Sequence, residues 1–101
     1  MKVVFAERAR QDISDIYDSI AQHNRSAAQR VEDTIRADCD RLGAFPYASA
    51  TTDEPNVRRL PMVRFRYTIF CRINDERRVV EIARVVHSAR VKDRRQLPED
   101  D

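Results

Sequence analysis

The 101-residue chain reads as an α+β domain of order β-α-α-β-β-β, a helical hairpin packed on a small, mainly antiparallel sheet. Two observations predict this. Apolar residues recur at helical spacing from Ala9 to Leu42 and then switch to alternation from Val57 to His87. A connection of only a few residues at His23-Asn24 separates the two helical stretches, which forces them antiparallel.

The elements follow in order. Lys2–Phe5 is a short apolar strand. Ala9, Ile13, Ile16, Tyr17 and Ile20 then mark one face of a helix over about residues 6–22. Asp12, Asp15 and Asp18 share a three-residue spacing, and the pattern assigns them to a solvated side of that helix. Asn24 or Ser26 can cap the next helix, and Ser26 with Gln29 has capping-box spacing. Its stripe is Ala28, Val31, Ile35, Cys39 and Leu42, with a stop expected at Gly43 and Pro46 just beyond. Neither stripe can form a core alone. Residues 47–56 are small and polar, a loop, and Val57–Pro61 is a short strand. Arg64–Ile73 alternates: Phe65, Tyr67, Ile69, Cys71 and Ile73 face the helices, with Arg64, Arg66, Thr68, Phe70 and Arg72 opposite. Asn74-Asp75-Glu76-Arg77 turns the chain into a last strand, Arg78–His87. The reading is a single domain over residues 1–95, followed by an acidic, disordered tail at 96–101.

Composition narrows the function. A chain of this length supports one small core with little room for an enclosed cofactor, and none is expected. No stretch approaches the roughly 18 apolar residues of a membrane span. Four apolar residues before Glu7 are too few for a secretory signal, which places the protein in the cytoplasm. Cys39 and Cys71 read as buried, reduced thiols, and no Cys/His spacing suggests a metal. Charge is the informative part. Residues 56–95 hold twelve Lys and Arg against four Asp and Glu, a local +8. Residues 1–55 hold seven against ten, a local −3, and residues 96–101 add another −3, so the overall +2 hides a dipolar molecule. Seventeen of the 19 basic residues are arginine, the side chain that holds carboxylates and phosphates in a fixed fork. The sheet half is therefore read as a surface for an anion or an acidic partner.

The order of elements, with Phe45-Pro46 ending the hairpin, resembles the RelE/ParE toxins of bacterial toxin–antitoxin pairs, the ParE branch more closely. Four segments carry the likeness. The helix Ala9-Arg10-Gln11-Asp12-Ile13-Ser14-Asp15-Ile16-Tyr17-Asp18-Ser19-Ile20 is similar to the first ParE helix, and Arg58-Arg59-Leu60-Pro61 is similar to its Arg-x-x-Pro strand. Tyr67-Thr68-Ile69-Phe70-Cys71-Arg72 differs by one residue from a ParE strand, and Glu81-Ile82-Ala83-Arg84-Val85-Val86-His87-Ser88-Ala89-Arg90 resembles the closing motif throughout.

The resemblance implies a RelE-like fold and a toxin silenced by an antitoxin with an acidic, amphipathic C-terminal segment. It implies one of two targets. ParE-type members poison DNA gyrase by binding, without chemistry of their own. RelE-type members cut mRNA on the ribosome with basic side chains and a late tyrosine. For that second activity Arg59 and Arg84 would hold the phosphate and His87 would act as acid or base. Arginine stays protonated and is a poor base, and no tyrosine follows Tyr67, so the gyrase reading is preferred. The residues expected to bind target or antitoxin are Arg59, Arg66, Arg84, His87 and Arg90. His87 is expected mainly to orient the turn after it. A third possibility, plain nucleic-acid binding, would need exposed aromatics, and only Phe70 falls on the open face.

Overall fold

The structure is a computed structural model, and residues 1–91 are those described. Within them the order is β1 (Lys2–Phe5), α1 (Glu7–Ala21), α2 (Arg25–Ala44), β2 (Ala50–Thr51), β3 (Arg58–Pro61), β4 (Tyr67–Asn74) and β5 (Val79–His87), with short 3-10 turns at Pro46–Ala48 and Ser88–Arg90. The strands form one mixed sheet of order β1-β5-β4-β3-β2. The α+β hairpin-on-sheet architecture is as the sequence predicts, with β2 as an addition inside the expected loop. The acidic tail expected at residues 96–101 lies outside the described residues.

Local chemistry accounts for the helix ends. Ala6 links β1 to α1: its N–H donates to the Ile82 carbonyl at 2.9 Å and its own carbonyl accepts from Arg10. Asn24 caps α2, its Oδ1 accepting the Ala27 N–H at 3.0 Å, so Ser26 lies inside the helix and the capping box is not used. Gly43 does not end α2, which continues to Ala44. Its missing Cβ instead admits β1, because a Cβ there would lie 2.7 Å from Val3 Cγ2 and 2.8 Å from the Met1 carbonyl. The N-terminal amine of Met1 donates to the Gly43 carbonyl at 2.6 Å and fastens β1 to the helix.

The main core lies between the hairpin and one sheet face. Ala9, Ile13, Val31, Ile35, Cys39 and Leu42 from the helices meet Ile69, Cys71, Val80, Ile82 and Val85 from β4 and β5. The predicted stripe of α2 is buried throughout, whereas in α1 Ala9 and Ile13 are buried and Ile16, Tyr17 and Ile20 half-buried. β1, whose partner the sequence left open, runs parallel to β5 with Phe5 opposite Ile82. Opposite faces of β4 differ from expectation. Phe70, assigned to the open face, is fully buried there in a second small cluster with Val57 and Val86, with Val91 packed against it. The segment after β2 supplies the cover. The Thr52 hydroxyl donates to the Val57 carbonyl at 2.9 Å and accepts the Glu54 N–H at 3.1 Å, while Asn56 takes a positive φ of 69° to turn Val57 inward. Both cysteines are buried and free, and burial pushes the Cys39 thiol up to about 12.

Candidate functional site

The site begins where β1 ends. Beyond Ile82 no strand among the described residues covers that edge of β5, yet the edge carries backbone groups that need partners. A register irregularity at Phe70/Cys71 places Arg84 opposite Phe70 but Ile82 opposite Cys71, so one extra residue bulges into β5 there. The bulge brings Arg84 within reach of α1. Asp12 meets it: Oδ2 accepts from Arg84 Nε at 2.8 Å, and Oδ1 accepts from Nη2 at 3.1 Å. Oδ2 also accepts the Val85 N–H at 2.9 Å. The Arg8 guanidinium stands 3.6 Å from Oδ1.

Asp12 is thus no part of a solvated acidic row. It is only 8 % exposed and stands in for the missing strand, while Asp15 and Asp18 are exposed as predicted. The spacing did hold a signal: Ala9, Asp12 and Ile16 fall at i, i+3 and i+7, the spacing of a buried stripe. Arg84 likewise is not an open cation. Its side chain is 14 % exposed, and its Nε and Nη2 are taken up by a bidentate pair.

The chain then turns sharply at Ser88–Arg90. His87 Nδ1 accepts the Ala89 N–H at 3.2 Å, the orienting role the sequence suggested. A ring nitrogen that accepts carries no proton, so the neutral ring bears its hydrogen on Nε2. On the β4 side, Ser88 N–H donates to the Arg66 carbonyl at 2.9 Å, and the Ser88 and Thr68 hydroxyls lie 2.9 Å apart. Tyr67 pairs with His87 across the ladder, the rings edge to face at 5.7 Å between centroids. A tyrosine therefore stands beside His87 although none follows β5 in the sequence. Register alone could have revealed it.

An open groove of about 530 Å³ runs between α1 and this strand end. Arg84, His87 and Arg90 line it together with Arg8 and Tyr67, which the sequence pattern did not single out. Arg90 and His87 are exposed in it; Arg66 lies outside it and meets the turn only through its carbonyl, which accepts the Ser88 N–H. Arg59 stands apart. Opposite Phe70 in the ladder, it lines a separate hollow with Thr51, Thr52, Asp53 and Val91. The five expected binding residues consequently make a cluster of three, a neighbour and an outlier. A second surface lies apart from these residues: Phe45 is 68 % exposed and Val63 98 % exposed beside an apolar pocket of about 210 Å³ formed with Leu42, Leu60 and Pro61. Among the described residues no cluster of His, Cys, Asp and Glu could hold a metal ion. No described helix is long and apolar enough to cross a membrane.

Two solved structures share this arrangement of hairpin and sheet. A chain of the chromosomal ParDE toxin–antitoxin system from P. aeruginosa superposes with a TM-score of 0.75 at 20 % identity, over 86 % of this chain and 95 % of that one. A chain of the RelBE2 toxin–antitoxin complex from Mycobacterium tuberculosis superposes with a TM-score of 0.54 at 22 % identity, over 85 % and 95 %. At such identities the likeness speaks for the fold. No curated protein matches in sequence. The family model for the ParE toxin of type II toxin–antitoxin systems, parDE, does match, over residues 3–92, which include the α1 carboxylate, the bulged strand and the turn of the site. The chain belongs to the ParE toxin family of type II toxin–antitoxin systems.

Proposed function

We propose that this toxin acts in the cytoplasm by binding DNA gyrase, and that a cognate antitoxin with an acidic, amphipathic C-terminal segment neutralises it. The observation that carries the gyrase reading is the engagement of the groove's polar groups. Arg84 is held by Asp12, and His87 Nδ1 is held by the Ala89 N–H. Phosphoryl chemistry depends heavily on preorganised charge aimed at the reacting oxygens, and a guanidinium locked in a buried pair is a poor clamp for them. A surface that binds needs only complementarity. His87 Nε2, Arg90, Arg66 and Arg59 remain available as donors around the strand end and the neighbouring hollow, with Arg84 setting the shape of the groove between them.

The antitoxin reading is supported by the family and by two surface features. The basic sheet half suits an acidic segment. The pocket under Phe45 and Val63 suits the apolar side chains of an amphipathic one. Nucleic-acid binding loses its stacking platform, because Phe70 is buried.

A second reading, mRNA cleavage on the ribosome, draws on one observation: Tyr67 lies beside His87 and could supply the acid that the sequence lacks after β5. Induction of the chain alone in bacterial cells separates the two, with total RNA and plasmid supercoiling followed in parallel. Altered supercoiling or double-strand breaks with intact mRNA is the expected result. Rapid loss of translated mRNA would overturn it and make Tyr67 and His87 the leading catalytic pair.

A further inference from the structure

The end of β5 and the turn that follows carry His87 and Arg90, and two devices fix their place. On the β4 side, Thr68 and the Arg66 carbonyl hold Ser88. On the other side β1 has already ended, and the Asp12 carboxylate takes its place by accepting from the Val85 N–H and from Arg84 Nε and Nη2. A buried carboxylate is costly to desolvate even when it accepts three bonds, and replacing such an ion pair by hydrophobic residues of similar volume is often neutral or stabilising. Core stability therefore does not explain the pair. Its geometry does something an apolar pair would not: it fixes the roll and height of the bulged strand against α1, two residues before His87.

We infer that Asp12, acting through Arg84 and the Val85 amide, is a positioning residue that aims His87 and Arg90 into the binding groove. The inference rests on the gyrase-binding reading above and assigns a role to a residue that sits behind the contact surface. Arg84 then belongs to the site as a strut, and Arg8, 3.6 Å from the same carboxylate, helps hold its outer edge.

The test separates positioning from folding. Asp12→Leu combined with Arg84→Met removes both charges together, a change that is often neutral for stability, whereas either single change leaves a stranded partner. The double variant should stay folded but melt somewhat below the wild-type temperature, because the buried Val85 N–H loses its acceptor. Its Val85 and Ala89 amides should exchange faster with solvent than those of Ile35 and Cys39, and the 15N signal of His87 Nδ1 should shift. Purified gyrase should need roughly tenfold more of it for inhibition, the loss expected when charge-assisted contacts to the partner are misaligned. A well-folded double variant with wild-type inhibition and an unchanged His87 signal would overturn the inference. Should the double variant fail to fold, Asp12→Asn decides by amide exchange: faster exchange confined to residues 85–89 supports positioning, and uniform acceleration through the chain refutes it. If the wild-type chain itself leaves gyrase untouched, the parent reading fails, and the ring signal and amide exchange still judge the role of Asp12.

Discussion

A single carboxylate separates the residues of this chain that look alike on paper. Arg84 and Arg90 sit six positions apart in a basic segment, and by pattern both belong to an open face where substitution weakens binding and leaves the fold intact. The structure divides them. Arg90→Ala removes an exposed side chain and should change stability by less than about 0.5 kcal/mol. Arg84→Ala strands the Asp12 carboxylate beneath the strand and should cost about 3–5 kcal/mol. Urea denaturation of the two variants checks the contrast; equal midpoints would mean that the pair is open to water. A second residue-scale consequence concerns Cys39. Burial is the first cause of its raised pKa, and neighbouring Asp38 and Asp40 add to it. Unfolding returns the thiol to its ordinary 9.0 from about 12, so above the lower value the unfolded state releases its proton first. The thiol's contribution to stability is therefore complete below pH 9 and is lost as pH rises through 12. Denaturation midpoints measured across that window should fall, and less steeply in Cys39→Ala.

Among the elements, β1 shows how a close approach substitutes for length. Four residues pair with β5, but the Met1 amine and the bare face of Gly43 bind them to α2 as well. Gly43→Ala would press a methyl group against Val3 Cγ2 and the Met1 carbonyl, and should cost about 1–3 kcal/mol by thermal melting. The largest amide-exchange increase in that variant should fall in β1. The apolar stripes are less even than their periodicity implies. Ile69 is fully buried and Ile69→Asp should unfold the domain, whereas Ile16 is half-buried at the groove and Ile16→Asp should leave a folded, weakened protein. Circular dichroism of the two variants distinguishes these outcomes. The helices were legible because one face of each is nearly continuous in apolar residues. The sheet was legible on its helix side for the same reason, Ile69 and Cys71 alternating inward. Its other face misled, because Phe70, Val57 and Val86 come from segments whose meeting depends on the loop closing over them.

For the whole molecule, the charge dipole is the property that should govern association. The +8 of residues 56–95 against the −3 of residues 1–55 predicts binding to an acidic segment that weakens as salt rises. Titration of the antitoxin segment at low and high salt tests this. Affinity indifferent to salt would place the dominant contact at the apolar pocket of Phe45, Leu42 and Val63 rather than on the arginines.

What the sequence determined by itself is what repeats along the chain: helical spacing, strand alternation, the turn at Asn74, the charge of each half and the four motifs of the ParE resemblance. These are local, and each residue's neighbours in sequence suffice to state them. Tertiary structure alone decided which cations are open and which are bound. Asp12 and Arg84 lie 72 residues apart, as do no two groups that a periodic pattern compares, and they meet because β1 stops at Phe5 and leaves the Val85 N–H uncovered. Tyr67 reaches His87 through the register of one ladder, and Arg59 departs from the others through the register of another. A buried donor must find an acceptor wherever the chain can bring one, and that requirement is written in three dimensions rather than in the order of the residues.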